Sequence, residues 1–383
     1  MSDPTVAIVT KGKAPYWKPI YEAFAQAQPA PWRTFIAWPE NNPTNDPPEL
    51  VTPVAANLEV AEVRGRTMVL RDGQKSTDGR KVVRRDFFPS RALWRMLASR
   101  NIRVVLIHEY SPYTLQALIF AKWHRIPVVV SSDVGLKDRK IYHFTTRIWH
   151  AFWGRFADGI VACTPAALKP LSGVTRPIVA TFHAMDSRLC LPLPKTDRTD
   201  SPVLFGYLGQ LIYRKGLDLF LQAAARLRDE GVTGFRVRLI GGGDVDWVRE
   251  WIARLHLEET VELTGFLSGE AIRQALGSTD VFVLPTRQDS YAAVVHEAAC
   301  MALPLLVSKH AGAAEALVVE GVNGFVFDPA KIDNFAATLR RFFDPDLRRR
   351  MGARSRSIAE RFSAHERGKA LWEWMDRSFG LSG

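Results

Sequence analysis

A short apolar run, Val281-Phe282-Val283-Leu284, ends at Pro285, and a helical pattern from Ala292 to Met301 follows it. Four apolar residues without alternation fit a strand buried on both faces, as in a parallel sheet. A parallel strand needs a crossover, and a helix supplies it here, so the stretch predicts a βα unit. In open sheets of such units, ligands bind at the carboxyl ends of the strands. The loop at that end contains Asp289, and Glu297 lies eight positions further on, inside the predicted helix. One acid at the loop and one in the helix are placed to grip different sugar hydroxyls. Backbone N–H groups at the helix start suit a phosphate. A surface loop acid with a solvated helix acid is the alternative reading of the same spacing.

The same grammar runs along the chain. Val6–Thr10 reads as a buried strand, Lys11–Pro15 as its carboxyl loop and Ile20–Gln28 as a helix. Val104–His108, Pro127–Ser131, Ile160–Cys163 and Pro177–Thr181 read as further strands, with a helix from Tyr113 to His124. A Pro- and Asn-rich loop covers 39–54. A second series starts at Val203, with strands near Arg236–Ile240, Val261–Leu263, Val281–Leu284 and Leu305–Val307. Strands alternating with helices mark parallel βαβ sheets. The Pro-rich polar stretch 191–202 suits a linker between two units. The expected organisation is therefore an α/β chain of two Rossmann-like domains facing across a cleft. Residues 1–190 form the first domain and 203–362 the second, and 363–383 form a terminal helix with Trp372 and Trp374. Closure about the linker would exclude water from the cleft.

Charge separates the halves. Residues 1–200 hold 28 Lys and Arg against 17 Asp and Glu, whereas 201–383 hold 23 of each. The whole excess of +11 therefore lies in the first half and points to an anionic partner there. Of a membrane surface, a lipid diphosphate and nucleic acid, the last ranks lowest, without a zinc-finger or RRM signature, and no nucleic acid is expected as partner. Lys137, Arg139, Lys140, Arg147 and Arg155 are interleaved with Tyr142, Phe144, Trp149, Phe152 and Trp153, which describes an interfacial segment for an anionic membrane surface. A core helix with a basic outer face is the alternative. No apolar run reaches the ~18 residues of a membrane span, and the N-terminus lacks a secretory pattern. Cys163, Cys190 and Cys300 fit reduced thiols. The expected location is cytoplasmic, on the inner face of the membrane where the protein is peripheral.

Several motifs in register then carry a resemblance. Pro285-Thr286, Asp289, Glu297 and the run Ala298 to Leu306 resemble the Pro-Ser-x-x-Glu-Gly-Phe-Gly, second Glu and Ala-Met-Ala-Cys-Gly-x-Pro-Val-Val elements of glycosyltransferase family 4, the group 1 retaining enzymes of the GT-B fold. Ala311–Glu315, Glu320–Phe325, Gly206–Gly216, Leu239–Gly243 and Leu263–Leu267 are similar to further elements of that family, in order. The resemblance is dense from Val203 to Asp328 and thin over the first hundred residues.

It implies a nucleotide-diphosphate sugar as donor, of UDP or GDP type, no cofactor and no metal ligand cluster. Glu297 would hold the ribose hydroxyls, a charge-assisted contact. Asp289 stands where the family has a Glu on the donor sugar, and it is one methylene, about 1.5 Å, shorter. Lys215 would hold the diphosphate. Gln210 takes the place of a family Arg, a charge that Arg214 is placed to supply. Gly242, within Gly241–Gly243, would close over the nucleotide, and Glu315 would line the same site. Ser290, Tyr291 and Ala292, ahead of Ala293, replace Gly-Phe-Gly, and Ser and Ala are expected there only with negative φ. Asp133 takes the place of a family His near the sugar, with an Asx turn as its other reading. Lys11, Lys13, His108 and Glu109, at strand carboxyl ends, are acceptor-side candidates. The implied activity is retaining sugar transfer to a glycan or lipid-linked glycan of polysaccharide biosynthesis. A non-catalytic sugar-nucleotide or glycan-binding partner, or an enzyme acting on the sugar nucleotide alone, remains open at this point.

Overall fold

The computed structural model describes residues 2–10, 18–40, 55–64, 67–75, 81–87, 90–108, 111–132, 155–163, 176–181, 201–267, 269–289 and 291–382. Two compact units result: residues 1–76, 80–184 and 364–383 form the first, and 77–79 with 185–363 the second. Lys11, Lys13, Glu109, Asp133, Ser290, residues 137–154 and most of the 191–202 stretch lie outside the described residues.

In the first unit, β1 (Pro4–Thr10), β2 (Arg33–Pro39), β3 (Leu58–Val63), β6 (Asn101–His108), β7 (Val128–Ser132), β8 (Gly159–Ala162) and β9 (Ile178–Ala180) form one parallel sheet. Its order is β3-β2-β1-β6-β7-β8-β9, while β4 (Thr67–Lys75) and β5 (Lys81–Phe87) pair apart as an antiparallel hairpin. Helices α1 (Lys18–Gln26), α2 (Arg91–Ala98) and α3 (Pro112–Trp123) supply crossovers. Residues alternate faces along a strand. Val6, Ile8, Val104, Leu106, Val129 and Val161 accordingly share one core with α1, whereas Ala7, Val9, Val105, Ile107 and Val130 share another with α2 and α3. Both faces are covered, which explains the apolar strands without alternation.

The second unit repeats the plan. Its strands are β10 (Val203–Leu208), β11 (Phe235–Ile240), β12 (Val261–Gly265), β13 (Val281–Leu284), β14 (Leu305–Ser308) and β15 (Gly324–Phe327), in the parallel order β12-β11-β10-β13-β14-β15. Its helices are α4 (Leu217–Asp229), α5 (Val245–Arg254), α6 (Glu270–Gly277), α7 (Val294–Cys300), α8 (Gly312–Leu317), α9 (Ile332–Arg341) and α10 (Pro345–Glu360). The order reverses between β10 and β13, so the loops following these two strands flank the switch point where a doubly wound sheet opens a crevice.

The terminal helix α11 (Ala364–Phe379) belongs to the first unit and packs on α1. Trp372 meets Phe24 and Trp32 edge-on, at ring-centroid distances of 6.0 and 5.1 Å. The two helix backbones touch at Gly368, where a Cβ would stand 2.4 Å from the Phe24 nitrogen. Backbone cannot yield as a flexible side chain does, so added volume here separates the helices. Gly368→Ala is expected to lower the stability of the first unit by about 1–3 kcal/mol, measured by thermal or urea unfolding.

Candidate functional site

The loops after β10, β11 and β13 meet backbone to backbone. Gly216 has φ +72° and would, with a Cβ, place it 2.1 Å from the Pro285 carbonyl oxygen. Gly241, at φ +150°, would collide with the Gly209 carbonyl oxygen at 1.9 Å, and Gly243 with that of Leu211 at 2.7 Å. These glycines are thus explained by packing between loops. Gly242 is not: a Cβ there would meet Phe266 at an ordinary 3.6 Å. Phe266, just beyond β12, is 81% exposed.

Side chains stitch the β10 and β13 loops together. The Arg287 guanidinium forks the buried Asp218 carboxylate at 2.7 and 2.6 Å and donates to the Tyr213 carbonyl at 2.7 Å. The same cation stacks 3.9 Å above the Tyr213 ring. The Thr286 hydroxyl lies 3.1 Å from the Arg214 carbonyl and 2.9 Å from that of Gln288. The Arg287 amide donates to the Arg214 carbonyl at 2.9 Å. Charge-assisted and bidentate bonds of this kind are the strong ones.

This frame presents three charged groups. Lys215 Nζ donates to Asp289 Oδ2 at 2.5 Å, and both side chains are mostly buried. Arg214 Nη1 lies 3.9 Å from the same oxygen and donates to the Gln288 carbonyl at 2.8 Å. The Tyr291 amide donates to Asp289 Oδ1 at 3.3 Å. Two cations therefore converge on one carboxylate, and α4 begins beside them at Gly216 without a side-chain cap. Gln210 is exposed, and its carbonyl accepts from the buried Tyr207 hydroxyl at 2.8 Å. Burial first, and the Asp289 charge second, push the Tyr207 hydroxyl well above its ordinary range, so it stays a donor.

Glu297 is half-buried in the first turn of α7. Desolvation raises its carboxyl above the ordinary range, reinforced by Cys300 and opposed by His296. His296 is a packing residue: its Nε2 lies 3.2 Å from the Ala359 carbonyl and its ring meets Phe362. Glu315 is exposed on α8. Among the described residues, no group of three or more His, Cys, Asp or Glu is placed to hold a metal.

Ala292 corrects the sequence reading. It has φ +70°, in the left-handed region, and is buried. The loop kept the conformation that a glycine would hold and accepted a Cβ there. The Ala293 that follows has φ −54° and starts α7. In the first unit, His108 is buried at the carboxyl end of β6, where Nδ1 lies 2.8 Å from Ser131 Oγ, itself 2.9 Å from Cys163 Sγ. This is a packed polar chain across three strand ends. Asp289, Lys215 and Arg214 are brought together. Phe266 and the Arg287–Asp218 pair were missed; an aromatic just after Thr264-Gly265 was the available signal for the first, and nothing in the spacing marked the second.

Two family models match the chain: Glycosyl transferases group 1 over residues 194–358 and Glycosyltransferase Family 4 over residues 47–173. The alpha-D-kanosaminyltransferase of Streptomyces kanamyceticus is 28% identical over 174 residues, 45% of this chain and 45% of that protein. The amylovoran biosynthesis glycosyltransferase AmsK of Erwinia amylovora is 29% identical over 152 residues, 38% of this chain and 37% of that protein. The match spans less than half the length of each of these curated relatives. Among solved structures, Anabaena HepE in complex with UDP has the same fold at a TM-score of 0.72 and 16% identity, covering 97% of this chain and 100% of that one.

Two outcomes follow for the site. A Cβ in the left-handed region costs about 1–2 kcal/mol, partly offset by the lower chain entropy of Ala when unfolded. Ala292→Gly is therefore expected to raise stability by about 1 kcal/mol in a denaturant titration. For Glu297, a raised folded pKa means that the folded state holds the proton more tightly than the unfolded chain. Its contribution falls as pH rises from the ordinary carboxylate range through the higher folded value. Glu297→Gln is expected to be more stable than wild type at neutral pH and to lose that advantage in acid, by thermal unfolding at stepped pH.

Proposed function

Because the chain belongs to the group 1, family 4 glycosyltransferases, we propose that it moves a sugar from a nucleotide-diphosphate sugar to a glycan acceptor with retention of configuration. The observation that carries this reading is the convergence of Lys215 and Arg214 on the single carboxylate of Asp289, beside the uncapped start of α4. The excess positive charge and the helix start without a side-chain cap suit a diphosphate.

In this reading the diphosphate lies against Lys215, Arg214 and the α4 amides, and Arg214 supplies the charge that Gln210 lacks. Those groups stabilise the negative charge that builds on the leaving diphosphate. Asp289 orients Lys215 and turns its carboxylate to the donor sugar. Glu297 accepts from the ribose hydroxyls; the free energy lost in burying its charge is recovered through these charge-assisted bonds. Gly242 lets the nucleotide approach the backbone, with Phe266 offering a flat face to the base. The departing diphosphate takes the acceptor proton on the face from which it leaves, so no covalent nucleophile is needed. The binding of UDP by HepE and the amylovoran role of AmsK favour a uridine-type donor and a polysaccharide precursor as acceptor. The basic first half favours a lipid-linked acceptor at an anionic membrane, with the protein peripheral on its cytoplasmic face. Among the described residues, no helix is long and apolar enough to cross a membrane.

A thermal-shift panel of nucleoside diphosphates and their sugars tests the donor site. A ligand at 100 times its dissociation constant adds about 2.7 kcal/mol of stability. One base series is expected to shift the wild type, with Lys215→Ala and Glu297→Ala each weakening that shift by at least about tenfold in ligand concentration. A folded protein that no nucleotide shifts would sink the reading.

A further inference from the structure

Aromatic side chains continue in a row from the rim of the second unit's sheet onto α5. Tyr213, in the loop after β10, is 52% exposed, and its ring meets that of Trp247 edge-on at a centroid distance of 6.4 Å. Trp251 follows one helical turn, about 5.4 Å, further along α5. Val248 and Ile252 are the buried residues of this helix, so Trp247 and Trp251, at i and i+4, share a flank that stays half-buried. Backbone bonds hold the row in place. The Asp244 amide donates to the Leu211 carbonyl at 2.8 Å and the Leu211 amide to the Gly242 carbonyl at 2.9 Å, which ties the start of α5 to the β10 loop.

Polar groups are interleaved with the rings. The Arg287 guanidinium covers one face of Tyr213 at 3.9 Å and is committed to Asp218, so the exposure of that ring lies on its other side. Arg254 stands over the Trp251 ring, 5.2 Å from its centroid. Asp244 accepts from the Trp247 amide at 3.2 Å, and Asp246 lies 3.5 Å from Arg249 Nη1. Glu250 is exposed on the same helix. Along α5 and its cap, the carboxylates of Asp244, Asp246 and Glu250 thus outnumber the cations Arg249 and Arg254. An anionic leaflet finds no net attraction in such a set. Rings separated by charged groups also lack the apolar centre of a stable protein interface.

We propose that this row is a binding surface for a neutral glycan chain, beside the donor loops and separate from the reacting end of the acceptor. A pyranose presents an apolar C–H face and a rim of hydroxyls. The face packs on Tyr and Trp rings, and the hydroxyls bond to the carboxylates and guanidiniums next to them. Three rings in a row, the first two 6.4 Å apart, take consecutive sugars of one chain. Such a surface holds a growing polymer on the protein between transfers and raises its effective concentration at the site. The inference rests on the glycan acceptor proposed above, but its test needs neither donor nor transfer.

The full chain is run in native gels containing dextran, soluble starch or glucomannan, beside a reference protein that binds none of them. At least one of these neutral polymers is expected to retard it, and the retardation should persist in high salt, where ionic adhesion is screened. Trp247→Ala, and separately Tyr213→Ala, should each weaken the retardation by at least about tenfold in polymer concentration. Trp247→Phe and Tyr213→Phe keep a ring and should restore most of it. Trp251→Ala should weaken it as well and leave the nucleotide-induced shift as in the wild type. No retardation by any of the three polymers, or alanine variants retarded like the wild type, would overturn the proposal. So would self-association of the wild type that Trp251→Ala abolishes, or binding to anionic vesicles that Trp247→Ala abolishes. Retardation without any nucleotide shift would count against the donor site and leave this surface standing, and a nucleotide shift without retardation would do the reverse.

Discussion

The second unit depends on how closely two stretches of backbone approach at its switch point. The β10 loop reaches the β13 loop only because Gly216 leaves room for the Pro285 carbonyl, and it reaches the β11 loop only because Gly241 leaves room for that of Gly209. Steric exclusion alone would leave the loops adjacent but unfixed. The Arg287–Asp218 fork fixes them, since a guanidinium and a carboxylate pair in one plane and one register. Asp218 is buried, so removing Arg287 would strand a charge in the core rather than release a surface contact. Lys215, Arg214 and Asp289 inherit their geometry from this frame.

The electrostatics of the site follow from that geometry. A lysine so largely buried needs a counter-charge, and Asp289 provides it at 2.5 Å. A glutamate at 289 would have to fold back to reach the same nitrogen, so the shorter side chain is matched to the pair. Arg214, 3.9 Å from the same oxygen, then finds that carboxylate already taken. The result is a fixed carboxylate with one surplus positive charge beside it. Glu297 is the reverse case, a carboxyl desolvated by α7 and its surroundings and short of positive neighbours, hence its upward shift. One acid is paired with a protein cation, and the other is desolvated.

Much of this was legible in the sequence because burial on both faces of a parallel sheet writes unbroken apolar runs: β1, β6, β7, β10 and β13 were all read from them. Strands β2 and β3 were not. Strand β2 does carry such a run, Phe35 to Trp38, that went unread, whereas Glu59 and Glu62 interrupt β3. In the β4–β5 hairpin the apolar stretches Met68–Leu70 and Val82–Val83 are cut short by Arg, Lys and Asp. Motif spacing located Lys215, Asp289 and Glu297, but spacing is blind to what a side chain spends its bonds on. It did not reveal that Lys215 and Asp289 hold each other, that Gly241 and Gly243 serve loop packing, or that Ala292 holds a positive φ. That last error is instructive. The inference from residue to dihedral assumed that the loop would relax when its glycine was lost, whereas the Ala313 amide bond to the Tyr291 carbonyl at 2.7 Å and the Asp289 bridge to the Ala311 region hold the turn in place. Local preference yielded to the surrounding hydrogen bonds.

The first unit divides its tasks between the two ends of one sheet. At the carboxyl end, polar groups are withdrawn from solvent: His108 Nδ1, Ser131 Oγ and Cys163 Sγ link across three neighbouring strands. At the amino end the pattern inverts, with Trp123 and Ile119 left in solvent. A folding requirement explains the first arrangement, because buried polar atoms need partners. It does not explain the second, since an exposed tryptophan contributes little to a core that closes without it. Exposure of that size at a helix end is tolerated most easily where the apolar surface is covered during function.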